Sequence, residues 1–95
     1  MDRTQLSAQK LYEAIVQIGT VEECRAFFED ICTIREIQDI SQRLQVASML
    51  QEGRNYQSVS RDTGASTATI CRVSKCLNYG TGGYRMILER MEEKA

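Results

Sequence analysis

The chain has 95 residues and a formal net charge of −1, the size of one small domain spanning residues 1–95. The chain has no proline and few aromatic residues, which predicts an all-α fold. No apolar run approaches the ~20 residues of a membrane span, so we expect a cytoplasmic protein without a membrane partner. Because histidine is absent and the four cysteines form no C-x-x-C pair, we expect no metal and no histidine-dependent catalytic site.

Six helices are predicted in chain order, three of them before the central turn. The first covers about residues 4–18, the second about 21–32 and the third about 34–52. Two S/T-x-x-E capping boxes, which mark helix starts, precede the second and third helices: Thr20 with Glu23 and Thr33 with Glu36. In these three helices the apolar residues expected to face inward are Ala8, Leu11, Tyr12, Ile15, Ile18, Cys24, Phe27, Phe28, Ile31, Ile37, Ile40, Leu44, Ala47 and Leu50. A glycine-rich joint over 78–83 precedes the last helix. The apolar residues expected to face inward there are Tyr84, Ile87, Leu88 and Met91.

The spacing of small and apolar residues over about 56–77 is typical of a helix-turn-helix. Gly64 is the predicted turn residue, because glycine adopts a positive φ without the penalty that a Cβ imposes. Val59 lies five residues before it, and Ile70 and Val73 lie six and nine residues after it. This spacing allows all three apolar side chains to face one small core.

The fifth helix, about 67–77, is predicted to be a recognition helix capped by Ser66, after a short fourth helix capped by Asn55. Short polar side chains at its exposed start, followed by Arg72 and Lys75, suit a major-groove helix because bulky residues there would hold the backbone away from the base edges. A plain helical hairpin would explain the turn and the apolar stripe, but it does not require these side chains. The predicted DNA-binding residues are Arg54, Tyr56, Gln57, Ser66, Thr67, Ala68, Cys71, Arg72 and Lys75.

Charge and apolar surface are unevenly distributed along the chain. Residues 1–42 hold four basic and eight acidic side chains, whereas residues 43–79 hold five basic and two acidic ones. Local positive charge matters for phosphate binding, although a solvated surface could show the same excess. The first two helices and the last carry more apolar surface than a small motif can cover, which predicts a homodimer with recognition helices about 34 Å apart; a completed monomeric core is the alternative.

These residues together resemble the Trp repressor superfamily, and most of all its YerC/YecD branch. The resemblance spans residues 33–93 and rests on Thr33 at the start of the third helix, Arg43 ten residues later, Gly64-Ala65 at the turn, Ala68-Thr69-Ile70 with Arg72 in the fifth helix, and a closing acidic helix. It implies a six-helix Trp-repressor-like fold, an intertwined homodimer and a transcription regulator, a repressor, that binds a palindromic operator in double-stranded DNA.

The resemblance also implies an effector pocket, formed by Thr33, Arg43, Thr69, Arg72, Val73 and Cys76. In the family, tryptophan lodges there, but Val73 and Cys76 replace a glycine and a serine. Because a branched side chain fills the slot and a thiol makes a weaker hydrogen bond than a hydroxyl, tryptophan is not the expected ligand. Either a smaller co-effector binds, or Val73 fills the pocket and no cofactor is needed. A filled pocket favours Arg72 as a DNA contact.

Two alternatives to a DNA-binding regulator are weighed on the sequence. A helical adaptor that binds a protein such as a transcription component would suit the acidic first 42 residues, and it would show neither salt-dependent nor duplex-discriminating binding. An enzyme is not expected, because the chain has no glycine-rich phosphate loop and no compact nucleophile and base. Cys71, beside Arg72 and Lys75, also has the electrostatic setting of a redox-sensor thiol.

Overall fold

The structure is a computed structural model that describes residues 2–94, and this part of the chain forms six helices and no strand. The helices are α1 (Arg3–Val16), α2 (Val21–Ile31), α3 (Ile34–Gln51), α4 (Tyr56–Thr63), α5 (Thr67–Tyr79) and α6 (Gly83–Glu93). The predicted all-α, six-helix fold is therefore confirmed. The chain divides into two compact units, one up to Ile37 and one from Gln38. Within residues 2–94, no helix combines the length and the apolar character that crossing a bilayer requires.

Side-chain caps set the starts of α2 and α3, as the sequence predicts, but in slightly different ways. At α3, Thr33 Oγ1 accepts from the Glu36 amide at 3.1 Å and the Glu36 carboxylate accepts from the Thr33 amide at 2.8 Å, which is a complete capping box. At α2, Thr20 Oγ1 accepts from the Glu23 amide at 3.1 Å. The Glu23 carboxylate accepts from the amide of Gly19 at 2.8 Å, so the return bond reaches one residue further back than predicted.

The first unit has no buried residue among residues 2–37. Its best-covered aromatic residues are the half-buried Phe27 and Phe28, whose rings meet edge to face with centroids 5.8 Å apart. Leu11, Tyr12 and Ile31 were expected to face inward, and this prediction is wrong for the single chain because all three are exposed. Two short helices and the start of a third are too few to enclose a core of their own.

The second unit contains the core, to which α3, α4, α5 and α6 all contribute. Val46 and Ala47 lie at its centre on α3, whereas Ile40, predicted to face inward, is exposed. Ile40 is seven residues before Ala47, about two turns earlier on nearly the same face of α3, so it lies ahead of the part of the helix that the core covers. The buried residues are Val46, Ala47, Val59, Ala65, Ile70, Val73, Leu77 and Leu88, with Leu44, Met49, Leu50 and Tyr84 packed against them.

Candidate nucleic-acid interface

The turn between α4 and α5 is fixed by a glycine conformation and by four local hydrogen bonds. Gly64 ends α4 with a φ of 74°, and its amide donates to the carbonyl oxygen of Ser60 at 2.8 Å. The Ser60 hydroxyl donates to the Ala65 carbonyl at 2.9 Å. The Thr63 hydroxyl donates to the Val59 carbonyl at 2.7 Å and accepts from the Ala65 amide at 3.1 Å. The predicted turn residue is therefore confirmed in position and in conformation.

The turn and α5 are anchored on the core of the second unit. Gln42 of α3 donates its side-chain amide to the Thr63 carbonyl at 3.2 Å, which ties the turn to the longest helix. On α5, Ile70, Val73 and Leu77 recur every three or four residues and are all buried. Because this apolar face is buried, the opposite face of α5 is the one that solvent reaches.

The exposed face of α5 carries the side chains predicted to meet DNA. Ser66 caps the helix, because its hydroxyl accepts from the Thr69 amide at 3.2 Å and donates to the Thr69 hydroxyl at the same distance. No ion pair among residues 2–94 involves Arg72 or Lys75. Both cations follow the short side chains at the start of α5. All residues of this segment that were predicted to contact DNA are exposed: Ser66, Thr67, Ala68, Cys71, Arg72 and Lys75.

A second group of polar and charged side chains lies on α4 and just before it, and we call Arg54, Ser58, Arg61 and Asp62 the Asp62 cluster. The Arg54 guanidinium donates through Nε to Ser58 Oγ at 3.0 Å and forms an ion pair with the Asp62 carboxylate. Arg61 Nε donates to the other oxygen of Asp62 at 3.3 Å. Hydrogen bonds from Arg54 and then from Arg61 hold the pKa of Asp62 below its usual value.

The structure places the remaining predicted DNA-binding residues at the start of α4. Asn55 caps this helix, its Oδ1 accepting from the Ser58 amide at 2.8 Å, and Tyr56 and Gln57 are exposed in the first turn. Among the nine predicted DNA-binding residues, only Arg54 is half-buried. Arg61 is a cation that the predicted set lacks; its side chain is 73% exposed, and its position near the end of a predicted amphipathic helix is the signal that could have identified it.

The predicted effector-pocket residues lie at the start of α3, on α3 and on α5. Thr33 caps α3 in the first unit, Arg43 is half-buried on α3, and Val73 is 1% exposed and belongs to the core. Thr69 pairs with the helix cap, and Cys76 lines an open groove of about 510 Å³ with Leu44, Gly80, Thr81, Gly83, Tyr84 and Ile87. The hydrogen bonds that the Thr33 and Thr69 hydroxyls make go to Glu36 and Ser66, which lie outside the predicted pocket set.

Metal chemistry has no visible site in the described part of the chain. All four cysteines are free; Cys71 and Cys76 are exposed, and Cys24 and Cys32 are partly covered. No group of three or more Cys, Asp or Glu residues within residues 2–94 is arranged to hold a metal ion.

Comparison with known proteins identifies the family to which this arrangement belongs. The sequence pattern of the family described as Trp repressor protein matches residues 6–92. The chain belongs to the Trp repressor family. It is 52% identical over 84 residues to YerC of Bacillus subtilis, a protein described as uncharacterized, and this match covers 88% of the present chain and 81% of YerC.

Two crystal structures of Trp repressor family members share the fold. One is a provisionally assigned Trp repressor from Staphylococcus aureus, with a TM-score of 0.88 and 45% identity, covering 97% of this chain and 95% of that one. The other is a TrpR-like protein from Eubacterium eligens, with a TM-score of 0.88 and 47% identity, covering 92% and 90%. The resemblance stated from Thr33, Arg43, Gly64-Ala65 and Arg72 is thus confirmed at the level of family and fold.

Proposed function

We propose that this protein is a sequence-specific DNA-binding transcription regulator, a repressor, that acts as a homodimer and places α5 in the major groove. The observation that carries the proposal is the exposed face of α5, opposite its buried face: Thr67 and Ala68 lie at its start, and Arg72 beyond them forms no ion pair with any residue from 2 to 94. Short side chains let the helix backbone approach the base edges, and the buried face keeps the helix from rotating. A cytoplasmic location is part of this proposal.

Each polar group on this surface has a role that its chemistry suits. Arg72 reads a guanine edge through bidentate hydrogen bonds, the commonest specific contact in the major groove. Lys75 and Arg61 contact phosphates, as do Tyr56 and Gln57 at the start of α4; such contacts position the protein without reading sequence. Membership of the Trp repressor family supports these assignments.

The proposed homodimer is supported by the apolar surface of the first unit. Val16 and Ile34 are 78% and 77% exposed, and Leu6, Leu11, Tyr12, Val21 and Ile31 are exposed as well. Exposed apolar area on this scale is typical of an interface. Pairing about a twofold axis would place two copies of α5 about 34 Å apart, one turn of DNA, so the operator is palindromic.

We also propose that the protein binds its operator without tryptophan. Val73 is 1% exposed and packs in the core with Ile70 and Val59. With that position filled by a branched side chain, the recognition helix is already held against the core. Addition of L-tryptophan should therefore leave operator affinity unchanged, and a tenfold increase would show that the pocket remains open.

Selection of bound duplexes from a random pool, followed by fluorescence anisotropy across salt concentrations, tests the proposal. Arg61 and Lys75 of two protomers supply four phosphate contacts, so log K against log[salt] should have a slope of about −4. The selected duplexes should share a palindrome. A helical adaptor, for which the acidic residues 1–42 are the supporting observation, would enrich no sequence and show no such slope. No catalytic role is proposed.

A further inference from the structure

The Asp62 cluster holds one arginine of the helix-turn-helix along its own helix. Ser58 and Asp62 are four residues apart, so they lie on the same face of α4. Arg54, just before the Asn55 cap, donates to both of them. Its guanidinium therefore lies along α4 instead of extending into solvent, and its side chain is 29% exposed, against 73% for Arg61.

The same contacts change the charge that the motif presents to a polyanion. Residues 43–79 contain only two acidic side chains, Glu52 and Asp62, and Asp62 is the one that contacts basic groups. Its carboxylate accepts from Arg54 through one oxygen and from Arg61 through the other. Arg61 is still largely exposed, whereas Arg54 directs its hydrogen-bond donors to Ser58 and Asp62. Of the two arginines that contact Asp62, Arg54 is thus the one held back from solvent.

We infer that Asp62 is a positioning residue that limits the sequence-independent part of the protein's DNA affinity by holding Arg54 against α4. The inference rests on the proposed DNA-binding function. Phosphate contacts raise affinity for every duplex alike, and they carry no sequence information. One phosphate contact fewer per protomer therefore weakens binding to the operator and to non-specific DNA by the same factor, so Asp62 limits the overall affinity and its salt dependence and leaves the ratio of the two affinities unchanged.

Asp62→Asn tests this directly, because it keeps the size of the side chain and removes the charge that holds Arg54. Release of one arginine per protomer should raise affinity for a random duplex about fivefold per protomer near 0.15 M salt, and steepen the slope of log K against log[salt] by about one per protomer. The ratio of operator affinity to random-duplex affinity should stay the same. If circular dichroism shows that Asp62→Asn does not fold, Asp62→Ser, which also removes the carboxylate, takes its place and should give the same result.

Two matched variants separate release of Arg54 from a general change in charge. Glu52→Gln removes the same charge from the same segment outside the Asp62 cluster, and it should raise random-duplex affinity less than twofold. In an Arg54→Gln background, Asp62→Asn should give no more than that small increase. A merely structural role for Asp62 would lower both affinities and leave the salt slope unchanged.

The outcomes distinguish this inference from the function on which it rests. An increase for Glu52→Gln as large as that for Asp62→Asn, or a full increase in the Arg54→Gln background, would overturn the role of Asp62 while leaving DNA binding intact. If the unaltered protein bound no duplex in a salt-dependent manner, the proposed function itself would fail, and the inference with it.

Discussion

Replacement of Gly64 by alanine tests whether the turn depends on backbone conformation alone. Gly64 has a φ of 74° and a ψ of 5°, and nothing lies within 4 Å of the position that a Cβ would occupy. The cost of Gly64→Ala is therefore strain without collision, about 1–2 kcal/mol in the free energy of unfolding. Gly64→Asn should cost less, because asparagine tolerates the left-handed conformation better than alanine does.

Gly80 provides the matched control, since its requirement for glycine has a different cause. Its φ is −85°, but a Cβ there would lie 2.4 Å from the carbonyl oxygen of Cys76. Gly80→Ala should therefore be at least as costly, and Gly80→Asn should recover nothing. Urea unfolding followed by helical circular dichroism measures all four variants, at one protein concentration because the stability of the proposed homodimer would depend on it. If Gly64→Asn proved no more stable than Gly64→Ala, strain would not be the cause.

Three further predictions concern the core, the cap and the Asp62 cluster. Ile70→Ala, at a position with 0% exposure, should lower the free energy of unfolding in urea by about 2–5 kcal/mol; a loss below 1 kcal/mol would show that Ile70 is not a core residue. Ser66→Ala should cost about 1 kcal/mol in the same assay by removing the cap of α5, and no change would mean that the hydroxyl does not cap. Because the pKa of Asp62 is lowered from 3.8, its contribution to stability is present above that value and is lost as pH falls through the lower folded-state pKa. Acid unfolding of Asp62→Asn should accordingly be shallower in this range, and an unchanged acid profile would contradict the hydrogen bonds to Arg54.

The helix starts could be predicted from the sequence because their causes are local. The caps Asn55 and Ser66 each accept from the amide three residues on, a relation visible in sequence spacing. One cap was missed: Asp2 and Gln5 form a complete capping box that starts α1 at Arg3, but Asp-x-x-Gln is a less familiar form of the pattern. The end of α5 at Tyr79, inside the predicted joint, had no cue before Gly80.

Burial could be predicted only where one short motif determines it. Val59, Ile70 and Val73 are buried as expected, because the turn at Gly64 brings their two helices together. Val46 was missed, since α3 is long and its apolar stripe does not show which part meets α4 and α5.

The exposed face of α5 followed from its periodicity, whereas the pairing of Arg54 did not. Arg54 lies outside α4, so helical spacing does not place it beside Asp62. The repeated interval of four residues through Ser58 was the only sequence sign of this contact.

The central claim, that the exposed face of α5 reads base pairs, is tested most directly by comparing Arg72→Ala with Arg90→Ala. Both residues are exposed arginines, one on α5 and the other on α6, so each variant removes the same charge from the surface. The measured quantity is the affinity ratio between the selected duplex and a duplex with one altered base pair. Arg72→Ala should lose about 1–3 kcal/mol of this discrimination, and Arg90→Ala should lose none. Equal ratios for the two variants would contradict the account.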